Sequence, residues 1–316
     1  MAKNNKPRIR LRLPSTRAFT QEARKTEDYS LFDLLHGYVY LRWPYLYIGV
    51  GTSAHPLTRY LRPLANFLGK LFLPQSDNGS PREDFADTYH GKVVPLEAAT
   101  QLVSVQEDIR LTDLEHIIPY QRARDIILKN PDHIAVLECP CRASREDPCL
   151  PLDVCLIIGE PFASLVTEHH PERSRWISSG EAIEILQAEH ERGHIHHAFF
   201  KDAMLERFYA ICNCCSCCCG AMKAWQNGTP MLCSSGYVSH VDIDLCIQCD
   251  TCSQLCQFEA ITRDEYDYPV VNQEKCMGCG VCVSHCPEEA FSLVRDTSKS
   301  EPLVIEDLIA GQKLLD

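Results

Sequence analysis

Apolar positions along this chain change spacing several times, and each change predicts an element. Residues 1–30 hold few apolar positions and read as a loose polar arm. From Leu31 the pattern turns dense and aromatic, through Phe32, Leu34, Leu35, Tyr38, Tyr40, Trp43, Tyr45, Leu46, Tyr47 and Ile48. No Asp, Glu, Lys or Arg stands between Arg42 and Arg59, but that gap is too short to span a bilayer and contains Pro44 and Pro56. Leu64, Phe67, Leu68 and Leu71 recur at helical spacing behind Pro63, so a helix is predicted there. Residues 31–73 have two uses on this reading: packing on the protein's own core, or docking on a partner or a membrane face.

Residues 74–92, with Ser76, Asp77, Asn78, Gly79, Ser80 and Pro81, read as a loop and a boundary. A helix is predicted over 95–103. Thr112 and Glu115 fit a capping box. Pro119 suits the first turn of a helix running to Lys129 and stopped by Asn130-Pro131. His133–Glu138 and Val154–Ile158 read as strands. Ser178 and Glu181 form a second capping box, opening a helix that ends at Gly193. Another helix is predicted over 199–210.

Cysteine changes the picture most. The chain has 19. The first 25 residues are basic and lack an apolar core, and no Arg-Arg pair marks export, so the expected compartment is a reducing cytoplasm with cysteines as metal ligands. Cys246, Cys249, Cys252 and Cys256 form a C-x2-C-x2-C-x3-C run that recurs 30 residues on as Cys276, Cys279, Cys282 and Cys286. Ala260-Ile261 maps onto Ala290-Phe291, so the repeat outlasts the ligands. Soft thiolates at this spacing suit two 4Fe–4S clusters, whereas zinc sites usually pair two C-x2-C units across a longer gap.

Residues 239–297 resemble the bacterial two-cluster ferredoxin domain. The resemblance implies a βαββαβ unit and crossed ligand sets: Cys246, Cys249, Cys252 and Cys286 for one cluster, Cys276, Cys279, Cys282 and Cys256 for the other. One departure is visible, since Pro287 follows Cys286 but Gln257 follows Cys256.

Ten more cysteines lie upstream: Cys139, Cys141, Cys149 and Cys155, then Cys212, Cys214, Cys215, Cys217, Cys218 and Cys219. Cys212/Cys215 and Cys214/Cys217 are C-x2-C pairs in different registers. Joined to residues 139–155 they make two further 4Fe–4S sites, or one plus structural thiols. Zinc and a thiol/disulfide site are the other chemistries open here; the expectation is iron–sulfur. Over residues 93–297 the chain resembles iron–sulfur proteins of anaerobes in which a CxCR…C…C stretch and a CNCCxCCC stretch precede a dicluster ferredoxin, a resemblance that names no reaction. Cys218-Cys219-Gly220 is similar to the CCG motif of heterodisulfide reductases, but this chain has a single such tripeptide where they have paired repeats. Cys233 reads as a packed thiol. Arg142 reads equally as a donor to cluster sulfur or as half of a salt bridge. His194, His196 and His197 read as helix-cap or solvated residues.

Net charge is −12, unevenly spread. Residues 1–25 hold eight Lys or Arg against Glu22, and residues 240–316 hold fifteen Asp or Glu against five Lys or Arg. The acidic end argues against nucleic acid and for a basic redox partner. No GxGxxG or P-loop is present, so a built-in nucleotide site is not expected.

The expected fold is α+β, in four parts: 1–90 a basic arm and docking segment, 91–238 a mixed α/β cysteine-rich module, 239–297 the ferredoxin domain, 298–316 a tail. The expected function is single-electron transfer by a subunit of a larger redox complex. Its two ferredoxin clusters are joined by one or two more. Expected partners are redox proteins such as a flavoprotein or a membrane-associated complex, met at the cytoplasmic face. The alternatives are a reductase with its substrate or thiol/disulfide site at 139–219, and a zinc-stabilised scaffold.

Overall fold

The computed structural model describes residues 13–52, 58 and 81–312. Helices α1 (Pro14–Ala23), α2 (Leu31–Arg42) and α3 (Pro44–Gly51) lead the chain, two of them with Pro in the first turn. A reciprocal Ser30/Asp33 capping box starts α2. Helix α4 (Pro81–Thr88) runs into β1 (Tyr89–Val94), and α5 (Leu96–Ser104) follows. Strands β2 (Ile109–Leu111) and β3 (Ile126–Leu128) pair antiparallel.

A seven-stranded sheet is then assembled. Its elements are β4 (Ile134–Glu138), α6 (Pro140–Ala143), β5 (Asp153–Ile158), α7 (Phe162–His169), β6 (Ser174–Ile177), α8 (Ser179–Glu191), β7 (Ile195–Lys201), β8 (Arg207–Cys214), α9 (Gly220–Gln226) and β9 (Leu232–Cys233). The strand order is β6-β4-β5-β8-β7-β1-β9, antiparallel except for the β1–β9 pair. The last part runs β10 (Tyr237–Val241), α10 (Thr251–Leu255), β11 (Ile261–Arg263), β12 (Pro269–Val271), α11 (Val281–Ser284) and β13 (Phe291–Arg295), with β10 paired to β13 and β11 to β12. Helix α12 (Ile305–Gln312) closes the described chain.

Alternate residues of a strand face opposite sides, and both sides of the large sheet are covered. On one side Ala135, Leu137, Cys155, Ile157, Ile195, Phe199, Ala210 and Cys214 pack with α1, α2, α7 and α9. On the other, Ile134, Val136, Leu156, Ile158, Ala198, Phe200 and Ile211 pack with α5, α8 and the Leu303–Ile305 segment. The C-terminal segment is tied to the sheet by buried Lys92, whose ammonium donates to Ile117 O, Ser300 Oγ and Glu301 O at 3.0, 2.8 and 2.7 Å.

Helix α5, strands β4 and β5, and helix α8 with Ser178 accepting from Glu181 N–H all match expectation. Several predictions do not. The helix expected over 199–210 is instead the β7–β8 hairpin. All seven residues of β7 are buried, so apolar side chains fill both faces and the period of two vanishes from the sequence. The helix expected from Pro119 is absent: Ala123 takes a φ of 52°, and Ile126-Ile127, better suited to a strand, pairs with β2. Thr112 caps no helix; its hydroxyl meets Asp113, which sits at a φ of 60°.

The loop expected over 74–92 gives way to α4 and β1 from Pro81 on; buried His90 and Lys92 had hidden the strand. Within the expected arm, residues 14–23 are a helix whose Phe19 is wholly buried. The helix predicted behind Pro63 lies outside the described residues. Of the aromatic segment, Tyr40 and Leu41 enter the core, whereas Leu31, Phe32, Leu35 and Trp43 are exposed.

Candidate metal centres

The sheet brings distant cysteines together. Cys155 on β5 and Cys212 on β8 are cross-strand partners with Sγ atoms 3.6 Å apart. Cys214 lies two residues further along the same face of β8 and meets Cys219, at the start of α9, at 3.2 Å. Cys139 ends β4 and Cys141 lies in α6. These six thiols, with Tyr89, Phe199, Arg142 and Asn213, line a pocket of about 400 Å³, bordered also by Cys215 and Cys218.

Crowding and burial raise the thiol pKa values. Contact with Cys141 and then burial hold Cys139 well above the ordinary range, and contact with Cys155 and then burial do the same for Cys212. Contact with Cys139 draws Cys141 down, but Cys219 and burial outweigh it and push Cys141 up to about 12. A cationic centre held here would remove that mutual repulsion and release the protons. The donor set and the pocket therefore suit an iron–sulfur group.

The remaining four upstream cysteines form a second group. Cys149, Cys215, Cys217 and Cys218 have all their sulfurs within 4.8 Å of one another. The expected division by C-x2-C pairs is thus overturned: Cys212 and Cys214 go to the pocket, Cys215 and Cys217 to the second group. Adjacent side chains diverge where β8 ends, so one run of sequence feeds two sites.

In the C-terminal part a pocket of about 440 Å³ gathers Cys246, Cys249, Cys252 and Cys286 with Phe291 and Pro269. Cys256 lies instead in the field of Cys279 and Cys282. Burial pushes Cys252 up to about 11 and Cys282 up to about 12. Backbone N–H groups reach the sulfurs in repeated positions: Ala260 to Cys256 and Ala290 to Cys286, both at 3.3 Å. The backbone repeats too, with φ of 59° and 66° at Gln248 and Asp250 and 64° and 83° at Gly278 and Gly280.

Several residues that join the two parts carried no signal in the sequence. Gln257, noted only as a departure from Pro, accepts from Ser216 N–H and Oγ–H at 2.8 and 2.9 Å and donates to Gly193 O at 3.2 Å. Gly193 has a φ of 75°, and a Cβ there would meet Leu255 Cδ2 at 2.9 Å. His190 Nε2 pairs with Ser284 Oγ at 2.6 Å. Phe258 meets Trp225 edge-on at 5.2 Å and His197 at 6.5 Å between ring centres.

Arg142 is half of a salt bridge. It is buried, pairs with Glu189, and donates to Pro151 O, His194 Nδ1 and Asn213 O. His194, His196 and His197 are buried rather than solvated, and burial lowers His196 and His197 to about 4 and about 3. Cys233 is buried in β9.

Residues 239–293 match the family model described as the 4Fe–4S dicluster domain. The chain is 36% identical over 76 residues to pyruvate synthase subunit PorD of Methanothermobacter marburgensis, covering 23% of this chain and 74% of that one. The figures for the subunit of the same name from Methanocaldococcus jannaschii are 32% over 72 residues, 23% and 73%. With one subunit of the Na(+)-translocating ferredoxin:NAD(+) oxidoreductase complex of Acetobacterium woodii, identity is 39% over 54 residues, 17% of this chain and 16% of that subunit. No described helix is long and apolar enough to cross a membrane. Residues 239–293 are therefore an electron-transfer domain for two 4Fe–4S clusters, and the chain belongs to the ferredoxin-type iron–sulfur family that includes pyruvate synthase subunit PorD.

Proposed function

We propose that this protein is the electron-transfer subunit of a larger redox complex, in which the dicluster domain serves a third 4Fe–4S site in the upstream module. Bound clusters supply one-electron transfer. The chain's own residues set where electrons enter and how far they travel. The domain is read as a βαββαβ unit with crossed ligands: Cys246, Cys249, Cys252 and Cys286 on one side, Cys276, Cys279, Cys282 and Cys256 on the other. The third site takes its thiolates from Cys139, Cys141, Cys155, Cys212, Cys214 and Cys219. The division into 1–90, 91–238, 239–297 and 298–316 is kept, with the first and last parts folded onto the module.

One observation carries this reading. Leu255, Gln257 and Phe258, which flank Cys256, and Ser284, which follows Cys282, all touch the six-thiol module, while the loop of Cys246 and Cys249 faces solvent. Ile243, Leu245 and Ile247, each about half exposed, lie beside Cys246 and Cys249 and offer an apolar landing for a partner, with acidic residues around it. The relatives named as subunits of redox complexes support a protein partner of that kind, such as a flavoprotein or a membrane-associated complex. Exposed Leu31, Phe32, Leu35 and Trp43 are a second docking face, toward another subunit or the cytoplasmic side of a membrane.

The test is iron, acid-labile sulfide and EPR on the anaerobic full-length protein. Three cubanes require about twelve iron and twelve sulfide per chain; about eight of each would remove the third site. Cys256→Ala should cost the cluster of Cys276, Cys279 and Cys282, and loss of the Cys246–Cys252 cluster alone would refute the crossed assignment.

A further inference from the structure

The two cysteine groups of the upstream module differ in spacing. Among the described residues, Cys149, Cys215, Cys217 and Cys218 are the one group of three or more metal-binding side chains whose ligand atoms all lie within 4.8 Å of one another. Their individual separations are 3.1 Å for Cys149–Cys217, 3.3 Å for Cys215–Cys217, 3.5 Å for Cys217–Cys218 and 3.8 Å for Cys149–Cys215. A tetrahedral ion with metal–sulfur bonds of about 2.3 Å spaces its ligands about 3.8 Å apart. A cubane holds its thiolates on four separate irons and needs a wider frame. The dicluster domain supplies the internal standard. Neither of its quartets, nor the six-thiol pocket, contains three sulfurs so close.

We propose that Cys149, Cys215, Cys217 and Cys218 bind one tetrahedral divalent metal ion rather than a cluster, and that the ion is Zn²⁺. Four thiols bind M²⁺ with release of four protons, leaving a site of net charge −2 and no change in oxidation state. Four thiolates with no position left for water are the donor set of a closed structural zinc site.

The surroundings are built for this role. The loop carrying three of the ligands is held at Cys218 O by the Arg145 guanidinium, at 3.1 and 3.4 Å, which also brings a positive charge beside the site. It is held at Ser216 by Gln257 of the dicluster domain. Cys149 comes from the loop after α6, so the ion staples that loop to the end of β8. Cys215 and Cys218 also border the six-thiol pocket, and the staple fixes that wall. The inference stands whether or not the pocket carries electrons.

The experiment uses the full-length anaerobic protein. Metal analysis should find one zinc per chain beside the iron. X-ray absorption at the zinc edge should find four sulfurs at about 2.3 Å and no iron neighbour. Cys149→Ser and Cys217→Ser should each lose the zinc while iron, sulfide and the cluster EPR signals stay unchanged. A single iron without matching sulfide, lost in the same variants, would keep the one-ion geometry and overturn the choice of zinc. Parallel loss of about four iron and four sulfide would overturn the proposal in favour of a cubane. Unchanged metal content, with a Cys149–Cys217 disulfide found by mass spectrometry, would overturn it in favour of a dithiol. Failure of a variant to fold leaves the absorption measurement on the unaltered protein, where a zinc shell containing nitrogen or oxygen, or no zinc at all, counts against the site. A low iron count with zinc present would sink the electron relay and leave this inference standing.

Discussion

The two halves of the dicluster repeat share a ligand code and differ in almost everything around it. In the first half Cys249 is exposed and Cys246, Cys252 and Cys286 are half-buried; in the second, Cys276, Met277, Val281 and Cys282 are buried. Gln248 and Gly278 are equivalent, with φ of 59° and 64°. A side chain fits at Gln248 because that loop faces solvent. None fits at Gly278, where a Cβ would overlap Tyr237 O. Ser235 and Lys299 bind the second loop through Gly278 O and Cys276 O, at 2.7 and 2.6 Å. Ser239 contacts Cys282 Sγ at 2.8 Å through its hydroxyl, and Cys276 Sγ at 3.3 Å through its N–H. One copy of the motif is therefore an interior piece and the other a surface piece. The order of burial supplies a direction for electrons: solvent side, then core side, then module.

The largest effect is expected at Gly278. Gly278→Ala combines a positive φ with a backbone clash and should cost about 3 kcal/mol or more, seen as loss of iron and a lower anaerobic melting point. Gln248→Ala at the matching position should stay within about 0.5 kcal/mol. Equal costs would show the halves to be equally packed.

Gln257→Pro gives the first half the residue that follows Cys286 in the second. It removes three hydrogen bonds to the module and should weaken that junction by roughly 1–3 kcal/mol. Amide hydrogen exchange at residues 215–218 should rise while both dicluster signals persist. Unchanged exchange would mean that Gln257 is not the latch.

Ile247→Glu acts on the exposed half alone. Electron uptake from an external partner should slow about tenfold, equivalent to about 1.4 kcal/mol, with cluster potentials unmoved. A matching slowdown in intramolecular transfer would place the partner elsewhere.

Ser239→Ala is the finest probe. Loss of one hydrogen bond to sulfur, worth roughly 0.5–1.5 kcal/mol, should lower the potential of the core-side cluster by roughly 20–60 mV. Thr251→Val removes the hydroxyl that meets exposed Cys249 at 3.4 Å. It should move the other cluster less, because water replaces the hydroxyl. Redox titration followed by EPR reads both.

Local chemistry was legible in the residues themselves. The 30-residue repeat, the C-x2-C-x2-C-x3-C spacing and the Ser178/Glu181 cap each depend on groups a few positions apart. Spacing alone therefore states what they bind or start, and the dicluster domain and α8 followed from it. The sorting of the ten upstream cysteines was not legible. Cys155 meets Cys212 across 57 residues, and Cys149 meets Cys217 across 68. Only the β5–β8 register and the turn after Cys214 decide which thiols face the pocket and which gather around one ion. The hairpin at 195–214 was hidden because a sheet covered on both sides erases the alternation that marks a strand. Burial of one half of a symmetric repeat was hidden because it comes from the contacts of Tyr237, Ser235 and Ser284 with the rest of the fold. A sequence repeat specifies what each copy binds, and the tertiary structure alone decides what each copy touches.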